Sequence, residues 1–155
     1  DIRNNVMQRT ELIRWETEWQ KTRGLLNLPD HFIDKHITID FTCDFVHGVR
    51  MMVGSILYNL VSNAIKYQSP ERSLQIEIKT YRQNGHSFLE IADNGLGIDL
   101  KQYGHKLFGL HKTFHENKEA RGVGLFLTKT QIETLGGNIS AESEVDRGTT
   151  FIIQF

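Results

Sequence analysis

One cysteine, two prolines and no long apolar run mark this chain of 155 residues. A lone cysteine, Cys43, excludes an internal disulfide and leaves no thiolate cluster for zinc. Its apolar surroundings, residues 37–46, predict a small buried side chain. No stretch approaches the ~18 apolar residues of a membrane span, and Asp1-Ile2-Arg3 does not read as a signal peptide. The expectation is a cytoplasmic segment with no membrane contact of its own, which leaves an anchor elsewhere in a parent protein open. Charge of either sign is also missing in excess: the formal net charge is -1, so nothing supports a nucleic-acid partner. The 39% hydrophobic content suits one cored domain with a helical appendage. The chain opens inside a helical pattern without a methionine, as a piece of a longer protein would.

Periodicity gives the elements. Residues 2–23 read as one amphipathic helix, with Ile2, Val6 and Ile13 on one stripe and Leu12, Trp15 and Trp19 beside it. Both tryptophans read as packing residues. Residues 36–43 alternate as a strand, and residues 49–67 form the clearest helix, with Val53, Leu57, Leu60 and Ala64 on one stripe. Strands are expected over 74–81 and 87–92, then 138–143 and 149–155, with a helix over 122–135 between the pairs. Residues 98–121 show no clean period and read as a lid or binding loop. Hairpin-joined strands with helices between them predict an α+β fold, a two-layer sandwich with one sheet face covered.

Three features carry chemistry. Asp93-Asn94-Gly95-Leu96-Gly97 follows the apolar run 88–92, placing a carboxylate acceptor and a bare backbone at a strand end. A plain Asp-Asn-Gly turn has the same letters; its company gives it meaning. On the long helix, Asn59, Asn63 and Lys66 fall within roughly 60° of one another, away from the apolar stripe. Two carboxamide oxygens can ligate a hard cation, and an ammonium can neutralise phosphate. Finally, Gly122-Val123-Gly124-Leu125 stands where a helix is expected to begin, with free N–H groups suited to phosphate. No Gly-x-x-x-x-Gly-Lys-Ser/Thr occurs, which excludes a P-loop, and neither glycine pair completes Gly-x-Gly-x-x-Gly.

Taken together, these motifs resemble the ATP-binding catalytic domain of sensor histidine kinases, within the gyrase/chaperone/kinase/mismatch-repair ATPase superfamily. Residues 56–67, Ile-Leu-Tyr-Asn-Leu-Val-Ser-Asn-Ala-Ile-Lys-Tyr, are similar to the family's N box. Asp93 to Gly97 resembles its first glycine box, Lys106-Leu107-Phe108 its F box, Gly122 to Leu125 its second glycine box, and Gly148-Thr149-Thr150-Phe151 the closing one. The resemblance spans residues 36–155 and implies the Bergerat fold, a mixed sheet covered on one face by helices, with an N-terminal helix. It divides the chain into residues 1–30, a remnant of the dimerisation and phosphoacceptor hairpin, and residues 31–155, the ATP-binding domain.

The resemblance also implies roles. Asp93 would accept from the adenine amine with Thr149 assisting through water, while Gly95, Gly97 and Ile98 line the base and Phe108 belongs to the same pocket. Asn63 would hold Mg²⁺ with Asn59 beside it, and Lys66 and Tyr67 would contact the phosphates. Gly122, Val123, Gly124 and Leu125 would frame a lid over ATP, with Lys112 facing the γ-phosphate. Catalytic work would rest on Asn59, Lys66 and Lys112. None of the seven histidines sits in the family's phosphoacceptor context, so the acceptor domain would lie upstream of residue 1, with a response regulator and a homodimeric parent as further partners. His111 and His115 depart from the usual lid pattern.

Three other readings compete. Hydrolytic relatives of the gyrase and chaperone type carry a Glu one turn before the metal-binding Asn, as general base. Here that place is Asn59, whose amide cannot take a proton. A serine kinase of the anti-sigma type would be told apart by a Ser-bearing partner, and a non-catalytic nucleotide sensor by broken motifs, of which there are none.

Overall fold

Along the chain the elements are β1 (Glu11–Arg14), α1 (Trp15–Leu25), α2 (Asp30–His36), β2 (Ile37–Phe41), β3 (Phe45–Gly48) and α3 (Arg50–Lys66). There follow β4 (Ile76–Gln83), β5 (His86–Asp93), the short α4 (Leu100–Tyr103) with a 3-10 turn at Gly104–Lys106, α5 (Lys118–Thr134), β6 (Asn138–Glu144) and β7 (Gly148–Gln154). The computed structural model describes residues 9–109 and 118–155, with side chains in the second stretch from residue 124 onward. Five strands form one mixed sheet in the order β2-β4-β5-β7-β6. Only β2 and β4 are parallel; the other neighbours are antiparallel.

Alternation decides which face the helices cover. Ile76 and Ile78, Leu89 and Ile91, and Phe151 and Ile153 are buried in register across three strands. Against them α3 sets Val53, Ile56, Leu57, Leu60, Val61 and Ala64, all in the same core cluster. Each of these Val, Leu and Ile side chains stabilises the fold by roughly 1.5–3 kcal/mol through burial, so α3 is fixed against the sheet. On the opposite face Tyr81 stacks on Phe88 at 5.1 Å. Burial, followed by a hydrogen bond to Glu90, pushes the Tyr81 phenol up from 10.0 to about 12. The unfolded chain releases this proton first, so its contribution is complete below the ordinary tyrosine range and is lost as pH rises through about 12. Tyr81→Phe is expected to flatten the alkaline limb of a stability–pH curve; an unchanged limb would contradict this.

The single helix expected over residues 2–23 is corrected. Residues 11–14 are a strand paired antiparallel with β3, and the helix starts at Trp15 and runs through Gly24 to Leu25. The reason is tertiary: the run pairs with β3, which buries Ile13 between exposed neighbours, and the Trp15 N–H donates to Asp44 O at 2.9 Å. The tryptophans are packing residues as expected, 1% and 2% exposed, and they join Ile13 in the one core cluster. Glu18, also buried, lies 3.3 Å from Lys21 Nζ and 3.5 Å from Arg50 Nη1, tying α1 to α3. Cys43 is half-buried rather than buried, its Sγ 3.2 Å from Phe45 O. Among the described residues no helix is long and apolar enough to cross a membrane.

Candidate active site

The site grows from the place where β5 runs out beside the C-terminal end of α3. Asp93 is the last residue of β5, paired across the ladder with Thr149 of β7. Directly opposed residues project from the same face, so both side chains turn toward the helical layer. Beyond Asp93 the chain must turn tightly. Its Oδ1 accepts the Gly95 N–H at 2.9 Å, an Asx turn that closes the loop.

The loop is then clamped on three sides. The Leu96 N–H donates to Tyr67 O at 2.9 Å, which fastens it to the end of α3. Arg72 donates to Asn94 O at 2.6 Å and to Gly95 O at 2.7 Å. The Asn94 side chain is held by Gln75 N and Ser73 O. The glycines permit this closeness. A Cβ on Gly95 would overlap Tyr67 O, and Gly97, at φ +72, would drive one into Glu144 O. Gly97→Ala is therefore expected to lower stability by at least about 1 kcal/mol, whereas a Cβ on Gly124 meets nothing within 4 Å. Gly124→Ala, inside a helix, should gain roughly 0.5–1 kcal/mol. A denaturant titration that ranks the two variants the other way would contradict this reading.

On α3 the expected trio separates by depth. Asn63 is 4% exposed, Asn59 half-buried and Lys66 exposed. Among the described residues the Asn63 Nδ2 is buried without a hydrogen-bond partner, a costly state for a polar atom and one that an acceptor such as a phosphate oxygen would relieve. Among the described residues the Asn59 side chain reaches Ser55 Oγ, at 3.5 Å. Tyr67 is buried, and its N–H donates to Asn63 O. Among the described residues no cluster of three or more His, Cys, Asp or Glu could hold a metal. A cation here would take an amide oxygen from Asn63 and the remaining ligands from phosphate and water, which suits Mg²⁺.

The other expected residues fall on two sides. Ile98 is 2% exposed and its N–H donates to Ser143 Oγ at 2.8 Å. Phe108 packs edge-on against Phe151 at 6.4 Å and lies under Lys129 Nζ. Leu125 is fully buried. The second glycine pair is corrected: α5 begins at Lys118, so Gly122, Val123 and Gly124 lie within the helix and not at its start. Lys118-Glu119-Ala120 are good helix formers and extend the helix toward its N-terminus. Lys112, His111 and His115 lie outside the described residues. In the region read as a loop, residues 100–106 are helical, with Asp99 accepting from Lys101 N and Gln102 N.

Sequence reasoning missed Arg72 and Ser143. Arg72 shows no signal before the loop is seen. Ser143 had one: it mirrors Thr149 across the expected Asp146-Arg147-Gly148 turn, and the register confirms the pairing.

The family described as "Histidine kinase-, DNA gyrase B-, and HSP90-like ATPase" matches residues 48–155. Sensor protein RprX of Bacteroides fragilis is 33% identical over 118 residues, which are 74% of this chain and 23% of that protein. Sensor histidine kinase GraS of Staphylococcus haemolyticus is 36% identical over 126 residues, 79% of this chain and 34% of its own length. The chain thus spans a minor part of these relatives. The solved catalytic domain of histidine kinase ThkA superposes with a TM-score of 0.77 at 19% identity, covering 94% of this chain and 96% of that one. A mycobacterial sensor histidine kinase, MprB, gives 0.74 at 23% identity, covering 94% and 95%. At these identities the likeness is one of fold.

Proposed function

This chain belongs to the histidine kinase-, DNA gyrase B- and HSP90-like ATPase family, as a catalytic ATP-binding domain of the sensor histidine kinase kind, and we propose that it binds Mg-ATP and delivers the γ-phosphoryl group to a histidine on a separate helical domain. The observation that carries the reading is the Leu96 N–H to Tyr67 O bond. It holds the last turns of α3, with the buried Asn63 amide, alongside the loop that presents Asp93. One wall then offers an acceptor for an amine and the other an amide for a cation.

In this reading Asp93 and Thr149 read the base, with Gly95, Gly97 and Ile98 shaping its floor and Phe108 bordering it. Asn63 would hold Mg²⁺, which would supply positive charge beside the phosphate oxygens. Asn59 stands beside Asn63, and Lys66, exposed at the end of α3, swings to the phosphates with Tyr67 behind it. Gly122, Val123, Gly124 and Leu125 shape the rim, and Lys112 faces the γ-phosphate. No residue has to generate hydroxide, because an imidazole nitrogen is itself the nucleophile. Asn59 in the general-base position argues for transfer over hydrolysis. The parent protein is proposed to dimerise and to pass phosphate to a response regulator, with this segment in the cytoplasm. The described part of residues 1–30 is proposed to belong to the ATP-binding unit, since Ile13, Trp15 and Trp19 share its core; the hairpin remnant is then restricted to residues before it.

Titration with ATP and GTP tests the base reading. ATP is expected to bind well and GTP poorly, because a carbonyl in place of the amine would face the Asp93 carboxylate. Equal affinities would overturn it.

A further inference from the structure

Among the described residues Ser143 Oγ has three hydrogen-bonding neighbours, and it carries a single proton. The Ile98 N–H donates to it at 2.8 Å, Gly148 O lies 2.9 Å away and Thr149 Oγ1 2.8 Å away. Gly148 O can only accept, so it takes the Ser143 proton; otherwise two oxygens would face each other with no hydrogen between them. Ser143 must then accept from Thr149 as well as from Ile98. That commits the only Thr149 proton, and Thr149, 2% exposed, is left with lone pairs alone.

We infer that Ser143 is a specificity-determining positioning residue: by taking the Thr149 proton it fixes that hydroxyl as an acceptor, so that the site selects 6-aminopurine over 6-oxopurine nucleotides. The inference rests on the ATP reading above. Asp93, opposite Thr149 in the ladder, is an acceptor too. A base in direct contact with this pair must bring a donor, as the exocyclic amine does and a 6-carbonyl does not. The same polarity passes through one bridging water. A water that donates to Thr149 has its other proton for the neighbouring ring nitrogen, which accepts in adenine and is protonated in hypoxanthine. Without Ser143 the Thr149 hydroxyl turns and donates, and the 6-oxo base loses its penalty there.

The test is calorimetric titration of the chain with ATP and with ITP, for the parent, Ser143→Ala, Ser143→Thr, Thr149→Val and the Ser143→Ala/Thr149→Val double variant. Ser143→Ala is expected to lower the preference for ATP over ITP by about tenfold, the scale of one hydrogen bond. Ser143→Thr, which keeps the hydroxyl, should retain the parent's preference. In the Thr149→Val background the alanine substitution should alter the preference less than about twofold. An unchanged preference in Ser143→Ala overturns the inference. So does an equal change with and without the Thr149 hydroxyl, which would place the effect in the Ile98 loop instead. If the alanine variant does not fold, a folded Ser143→Thr that loses the preference overturns it equally. A parent chain that binds no ATP contradicts the underlying reading and this inference with it, a result distinct from any seen in the variants.

Discussion

Asp93→Asn is expected to weaken ATP binding ten- to over a hundredfold, roughly 1.5–3 kcal/mol, while leaving the fold in place. The carboxylate has two tasks: its Oδ1 holds the Gly95 N–H at 2.9 Å, and the base amine is proposed to donate to it as well. An amide oxygen can keep the first bond at reduced strength, so the Asx turn survives. It then offers the base an NH₂ or a neutral oxygen, and the charge-assisted part of the interaction is lost. Paired measurement of thermal stability and ATP affinity separates the two tasks. Affinity that falls only in proportion to lost stability would make Asp93 a loop residue and no more.

Asn63→Ala should abolish the magnesium dependence of ATP binding and, with the acceptor domain supplied, phosphoryl transfer. Truncation removes a buried amide whose Nδ2 has no partner among the described residues, so little bonding to them is lost with it. Stability should change far less than a core truncation of about 2–5 kcal/mol. Adenosine affinity should hold, because the base is proposed to be read at the other wall. If the variant binds Mg-ATP more tightly than metal-free ATP by the parent's margin, Asn63 is not the ligand.

Much of this was legible in the sequence where one physical signal dominates. The stripe Val53, Leu57, Leu60 and Ala64 gave α3 its helix and its buried face, and the alternation through residues 87–92 gave β5. The strand end at Asp93 and the tight turn after it were legible from the apolar run 88–92 and the Asp-Asn-Gly letters, while the role proposed for Asp93 came from the motifs around it. Failures came where signals conflict. Ile13 and Trp15 fit a helical stripe, yet four residues of β1 pair with β3, and a tertiary ladder outweighs a short run's local propensity. The second glycine pair looked like a helix start because it stands just before clear helical periodicity, but α5 runs through it from Lys118. Ser143 was passed over although its signal was there: it mirrors Thr149 across the expected turn at residues 146–148, but a strand serine's hydrogen-bond partners show only once the register is set.

The most direct test of the central claim uses radiolabelled ATP with the chain alone and then with the upstream helical acceptor segment in trans. The chain alone is predicted to bind ATP, to leave itself unlabelled and to hydrolyse very little, since a positioned base worth ~10²–10⁴-fold is absent at Asn59. Adding the acceptor segment should yield acid-labile phosphate on that segment. Brisk steady-state hydrolysis by the chain alone, with no phosphohistidine in the mixture, would contradict the account and favour a hydrolytic machine.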